Sequence, residues 1–137
     1  MKTIVLVTGG FDPLHPGHIE YFKAAKQLGD ELHVGLNSDE SVKRLKGTER
    51  PINHQDDRKY VLESLYCVDQ VIIFNEDTPY NLIKRIEPTY ITKGGDYKVE
   101  DVVGNDLAEV VIIPTLQGFS TTDTLRRLNN DTVKWLC

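Results

Sequence analysis

The chain has 137 residues, 39% hydrophobic and 27% charged, which suits one compact domain over residues 1–137 and leaves no room for a second core. Sixteen Lys and Arg against 21 Asp and Glu give a net charge of −5, so no overall positive field draws the protein to nucleic acid or an anionic membrane. Met1–Thr8 carries one Lys and a short apolar run, far below the roughly 20 apolar residues of a membrane span, so a soluble, cytoplasmic protein is expected. Cys67 and Cys137 form neither a metal spacing nor a CxxC pair.

In chain order, the apolar run Thr3–Thr8 reads as a strand. The segment Gly17–Leu28 reads as a helix, with Ile19, Phe22, Ala25 and Leu28 recurring every three residues and Gly29 as its stop. Glu31–Leu36 is the second strand. Lys43, Arg44 and Lys46 then form a charge run too polar to pack, as solvated segments do. Val61, Leu62, Leu65 and Val68 make a second helical stripe, with Asp56 or Asp57 placed to cap it. Asp69–Phe74 is the third strand, and Thr78-Pro79 opens a helix with Leu82, Ile83 and Ile86 inward. Strands over Thr89–Thr92 and Glu109–Pro114 follow, and Ser120 and Asp123 stand at capping-box spacing before a last helix bearing Leu125 and Leu128.

The strand runs are mostly continuous rather than alternating, as in strands covered on both faces. Strand and helix alternate throughout, which predicts an α/β, Rossmann-like three-layer sandwich around a five-stranded, mostly parallel sheet. Ligands of such open sheets sit beyond the carboxyl ends of the strands where strand order reverses, so the loops after Thr8, Leu36, Thr92 and Pro114 are where chemistry is expected.

The first of these loops, Thr8-Gly9-Gly10-Phe11-Asp12-Pro13-Leu14-His15-Pro16-Gly17-His18, leads directly into a helix. Its glycines allow positive φ and close approach of a ligand, and the helix start offers free N–H groups and a positive dipole end, as phosphate sites require. Neither a dinucleotide G-x-G-x-x-G nor a P-loop spacing is present. Instead His15 and His18 stand three positions apart, where each imidazole can donate a hydrogen bond or a charge to a phosphate oxygen. A zinc site would want a third ligand, and His33 and His54 stand alone and read as structural.

The segment Gly10-Phe11-Asp12-Pro13-Leu14-His15-Pro16-Gly17-His18 resembles the signature of the nucleotidyltransferase superfamily, which includes cytidylyltransferases and coenzyme adenylyltransferases. Leu36-Asn37-Ser38-Asp39, Lys43 to Gly47, Arg50-Pro51-Ile52-Asn53, Lys93-Gly94-Gly95-Asp96-Tyr97 and Gly118 to Thr122 resemble, in order, the adenylyltransferase domain of bifunctional heptose-phosphate kinase/adenylyltransferases. The glycerol-phosphate cytidylyltransferase segment R-T-x-G-I-S-T has no counterpart arginine in Pro114–Thr121, which weakens that reading.

The resemblance implies that His15 and His18, with Gly9, Gly10 and Phe11, hold a nucleoside triphosphate and steady the charge of departing pyrophosphate. It gives Lys46 a catalytic place on a flap over the phosphates and turns Arg58 toward them, although pairing with Asp56 or Asp57 equally explains Arg58. Asp12, Asn37 and Asp39 fall at acceptor positions, with an Asx turn as the other reading of Asp12. Lys93, Gly94, Gly95 and Asp96 would meet base or ribose, and Ser120, Thr121 and Thr122 would meet phosphate. The implied reaction moves AMP, or else CMP, from a triphosphate to a heptose 1-phosphate-like acceptor. Mg²⁺ would be held mainly by the triphosphate, with no protein metal-ligand set. A separate sugar kinase upstream and a homodimer belong to the same implication. Cytidylyl transfer to another phosphate or phosphonate, adenylyl transfer to a coenzyme precursor, and a nucleotide-binding sensor without turnover remain the alternatives.

Overall fold

The computed structural model describes residues 1–114 of the chain. Five strands, β1 (Ile4–Gly9), β2 (Glu31–Asn37), β3 (Gln70–Phe74), β4 (Tyr90–Gly94) and β5 (Glu109–Ile113), form one parallel sheet in the order β3-β2-β1-β4-β5. The helices between them are α1 (Pro16–Lys26), α2 (Asp39–Lys46), α3 (Gln55–Glu63) and α4 (Tyr80–Ile86), with a 3-10 turn at Val99–Asp101 before β5. Each expected strand is present to within a residue or two. The continuous Val-Leu-Val of β1 has no exposed side chain because both faces of the sheet are covered. On one face Val5, Val7, Leu32 and Val34 pack with Phe22 and Ala25 of α1 and Leu62 of α3; on the other, Leu6 and Ile91 meet Ile83 of α4 and Val102.

Strand order reverses between β1 and β4. There β1 pairs with β2 over six positions, Ile4↔Glu31 to Gly9↔Leu36, but with β4 only at Val5↔Tyr90 and Leu6↔Ile91. The carboxyl ends of β1 and β4 therefore flank a seam at the topological switch point.

Several local expectations change. The polar stretch before Gly47 is helical, with Lys43, Arg44 and Lys46 exposed as a solvated charge run would be: Ser38 caps α2 by accepting the Ser41 N–H at 3.1 Å, and Val42 is buried beneath it. Asp39 and Glu40 in its first turn and Lys43, Arg44 and Lys46 in its last complement the dipole. In α3 neither Asp56 nor Asp57 is the cap; His54 holds that position and both aspartates lie in the first turn. Leu65 and Val68 follow the end of α3 yet still pack on the core. Pro79 precedes α4 at the N-cap instead of opening it, and α1 ends at Lys26, ahead of Gly29. The helix expected from Ser120 lies outside the described residues.

Residues 95–108 leave β4 and return to β5, and they are seated at Gly104. Its φ is +92°, and a Cβ there would stand 2.6 Å from Ile83 Cδ1 and 2.9 Å from Ile91 Cδ1. Gly104→Ala is accordingly expected to destabilise the domain by about 2–4 kcal/mol, combining overpacking with backbone strain, read as a lower urea midpoint at unchanged slope.

Candidate active site

The loop after β1 turns on an aromatic residue. Phe11 has φ 48°, the left-handed region, whereas the positive-φ glycines among the described residues are Gly47 and Gly104, not Gly9, Gly10 or Gly17. The strained turn folds the Phe11 ring back over the strand end: a Cβ on Gly9 would lie 3.0 Å from Phe11 Cζ. The ring stands edge-on to His18 (5.5 Å between centroids) and to Phe22 (5.1 Å), which anchors the start of α1 from below.

His15 occupies the N-cap of α1 and His18 its third position. The two imidazoles stack at 3.8 Å, and the His15 backbone N–H donates to His18 Nδ1 at 3.2 Å. With Nδ1 accepting, the proton of a neutral His18 ring sits on Nε2, leaving that nitrogen as a donor. Burial, and then the positive potentials of His15 and Lys46, push the His18 pKa down to about 4. His18 is therefore a neutral hydrogen-bond donor near pH 7.

A cavity of about 550 Å³ opens over the seam. Its floor is Thr8, Gly9, Gly10 and Phe11; both histidines line one side, Asn37 and Phe74 another, and Lys93, Gly94 and Tyr97 a third. Lys93 reaches across the seam to donate to Thr8 Oγ1 at 3.0 Å, and no ion pair among the described residues includes it. Burial lowers its ammonium below the usual lysine range. Lys46 stands on the cavity wall, where partial burial, followed by nearby Arg50, lowers its pKa against the opposing pull of Asp12. The described part of the cavity thus gathers donors and cations with little carboxylate to offset them.

The expected acceptor residues have another geometry. Asp12, 2% exposed, takes hydrogen bonds from the backbone N–H groups of Ile52 and Asn53 and from Asn53 Nδ2, while Arg50 donates to its carbonyl at 2.9 Å. It pins residues 50–53 to the first loop and is absent from the cavity wall. Arg58 is 3% exposed and pairs with neither Asp56 nor Asp57. It donates to the carbonyls of Gly10 (3.0 Å), Asn37 (2.8 Å) and Asn53 (2.9 Å) and to Asp39 Oδ1 (2.8 Å). Asp39 thereby belongs to a strut behind the cavity. Asn37 lines the cavity, with its amide donating to Ser41 Oγ at 3.0 Å. Gly95 and Asp96 are exposed beyond β4 and do not form the wall, and Ser120, Thr121 and Thr122 lie outside the described residues.

Among the wall residues that sequence reasoning missed are four with polar side chains, Thr8, Tyr21, Asp77 and Tyr97. Tyr21, three positions beyond His18 on α1, was findable by helical spacing; its hydroxyl bonds Thr92 Oγ1 at 2.7 Å, and burial raises its pKa. Asp77 pairs with Arg44 Nε at 2.7 Å. Nothing in the local sequence marks Asp77 as facing a ligand.

A cytidylyltransferase-like family model matches residues 6–129. The chain belongs to the cytidylyltransferase-like family. Among curated proteins it is similar to the bifunctional protein HldE of a Nitratiruptor species, 56% identical over 130 residues, covering 94% of this chain and 28% of that protein. It is likewise 53% identical over 131 residues to HldE of Aliarcobacter butzleri, covering 95% of this chain and 28% of that protein. The chain thus spans 28% of the length of these curated relatives. A solved structure, the lipopolysaccharide core biosynthesis protein from Thermoplasma volcanium, superposes with a TM-score of 0.69 at 32% identity, covering 85% of this chain and 98% of that one. No helix of the described residues is long and apolar enough to cross a membrane.

The state of His18 makes a pH prediction for this cytidylyltransferase-like domain. With a folded pKa of about 4 against about 6.5 when unfolded, the unfolded chain binds more protons between those values, so stability falls as pH drops through that window. The urea midpoint of the wild type should therefore fall more steeply from pH 6.5 to pH 4 than that of His18→Asn. Parallel slopes would contradict the neutral assignment.

Proposed function

We propose that this domain is a nucleotidyltransferase that moves a nucleoside monophosphate, AMP by preference, from a nucleoside triphosphate to a heptose 1-phosphate-like acceptor and releases pyrophosphate. The observation that carries the reading is Lys93: a cation held in the seam by Thr8, with no ion-pair partner among the described residues, beside a neutral His18. A partly buried ammonium with no counter-charge among the described residues is under-compensated, and an anionic ligand relieves that cost. The family, the adjacent helix start and the similarity to relatives named HldE over 130 residues agree with it.

The chemistry needs no protein nucleophile. An acceptor phosphate oxygen attacks the α-phosphorus in line, the bond from that phosphorus to the bridging oxygen of the β-phosphate breaks, and pyrophosphate carries off the electron pair. The chain's task is to hold two mutually repelling anions in line and to stabilise charge on the phosphoryl oxygens. Lys93 and Lys46 supply charge, and His18 Nε2 supplies a directed donor. Removing one such donor typically costs roughly 3–4 kcal/mol of transition-state stabilisation.

Magnesium fits as an ion carried by the triphosphate and its waters, neutralising phosphate charge when bound. Asp77 is the carboxylate of the described cavity wall that would serve it, and no group of three metal-ligating side chains occurs among the described residues. The acceptor's phosphate would come from a separate sugar kinase reaction, and a homodimer remains part of the same proposal.

The decisive experiment is pyrophosphate release from ATP and CTP across a panel of phosphate acceptors that includes heptose 1-phosphate. Release with ATP and the heptose acceptor is expected; release with no pair would end the reading. His18→Ala should lower turnover at least about a hundredfold in a variant that remains folded, and unaltered turnover would remove His18 from the mechanism. Lys93→Met should lose measurable triphosphate affinity in calorimetry while remaining folded.

A further inference from the structure

The backbone pairing of β1 with β4 stops after Val5↔Tyr90 and Leu6↔Ile91, and the side chains that line the cavity stand farther along, on opposite sides of the seam. His18 rides on α1, which packs against β1, and Lys93 belongs to β4. Two side-chain hydrogen bonds continue the join there, one on each face of the sheet. On the face covered by α4, Lys93 donates to Thr8 Oγ1 at 3.0 Å; two residues earlier on the same strands, Ile91 and Leu6 meet Ile83. On the face covered by α1, the Tyr21 and Thr92 hydroxyls share a bond of 2.7 Å. Thr92 is 0% exposed, and burial raises the Tyr21 phenol pKa, so this second bond is neutral and shielded.

We infer that Tyr21 is a positioning residue of the transfer reaction: through Thr92 its hydroxyl fixes the span between His18, one turn earlier on α1, and Lys93, the next residue of β4. The inference rests on the proposed transfer of a nucleoside monophosphate. An anionic ligand acts differently on the two bonds. For the Lys93 ammonium a hydroxyl is a weaker partner than a phosphate oxygen, because only the phosphate brings an opposite charge. A triphosphate in the cavity therefore draws Lys93 off Thr8, and the join on the α4 face opens. Neither Tyr21 nor Thr92 carries a charge for the ligand to compete for, and Thr92 is closed to it. Among the described residues, their bond is then the side-chain link that spans the seam while phosphorus is under attack. Without it α1 and β4 stay packed on the sheet but lose their fixed separation, and a catalytic geometry is sensitive to displacements of about 1 Å.

The test is steady-state pyrophosphate release from ATP with heptose 1-phosphate on the full chain, for wild type, Tyr21→Phe, Thr92→Val, Thr92→Ser and the double variant Tyr21→Phe/Thr92→Val, with folding followed by the urea midpoint. Positioning predicts that Tyr21→Phe lowers kcat by about 10- to 100-fold with little change in the KM for ATP. Thr92→Ser, which keeps the hydroxyl, should retain the wild-type kcat. The double variant should be no slower than either single one, because the two hydroxyls act as one bond. An unchanged kcat in Tyr21→Phe, whatever its urea midpoint, would overturn the inference and leave the bond purely structural. A loss confined to KM would overturn it as well, making Tyr21 a ligand contact, and so would losses that multiply in the double variant. A wild type that releases no pyrophosphate overturns the transfer reading itself, whereas turnover untouched by Tyr21→Phe overturns the positioning role alone.

Discussion

One buried guanidinium holds the mouth of this sheet together. A guanidinium taken out of water is tolerated only when the hydrogens it presents find oxygens. Here the oxygens come from the loop after β1, the end of β2, the turn before α3 and the first residue of α2. Four segments are thereby fixed to one planar group. Asp12 does the complementary work from the other side, accepting from residues 52 and 53. Both charges grip the turn at Asn53, Arg58 through its carbonyl and Asp12 through its N–H groups, so the two act as a unit.

This strut explains the division of labour among the charged residues. Cations whose charge is cancelled by protein, Arg58 by Asp39 and Arg44 by Asp77, shape loops. Lys93, lacking such cancellation among the described residues, faces the cavity. His18 fits between the two groups, since its neutral ring contributes direction without adding charge. The His15 N–H that fixes its tautomer comes from the turn held in place by Phe11, so the left-handed residue, the packed rings and the donor form one chain of cause.

The sheet was legible because its strands are continuous apolar runs, a signal that lies within each segment. The histidine pair was legible for the same reason, both members falling in one loop. What escaped depends on distance in sequence. Helix α2 hides one buried apolar residue, Val42, among charges, and its surroundings include an Arg44–Asp77 pair 33 residues apart. The partner of Arg58 lies 19 residues upstream, out of reach of helical spacing, so the nearby Asp56 and Asp57 were the natural but mistaken candidates. The contact between Thr8 and Lys93 spans 85 residues, and only the folded sheet reveals that the lysine crosses from one strand to the next.

The short pairing of β1 with β4 has a mechanical consequence. Two halves of the sheet, β3-β2-β1 and β4-β5, are stitched at Val5 and Leu6 and then diverge toward the side where Lys93 leans on Thr8. A molecule seated in that gap touches both halves at once and completes a join the backbone leaves unfinished. Occupancy would therefore stiffen the domain as a wedge tightens a split beam, and the same free energy that holds the molecule would resist separation of the two halves.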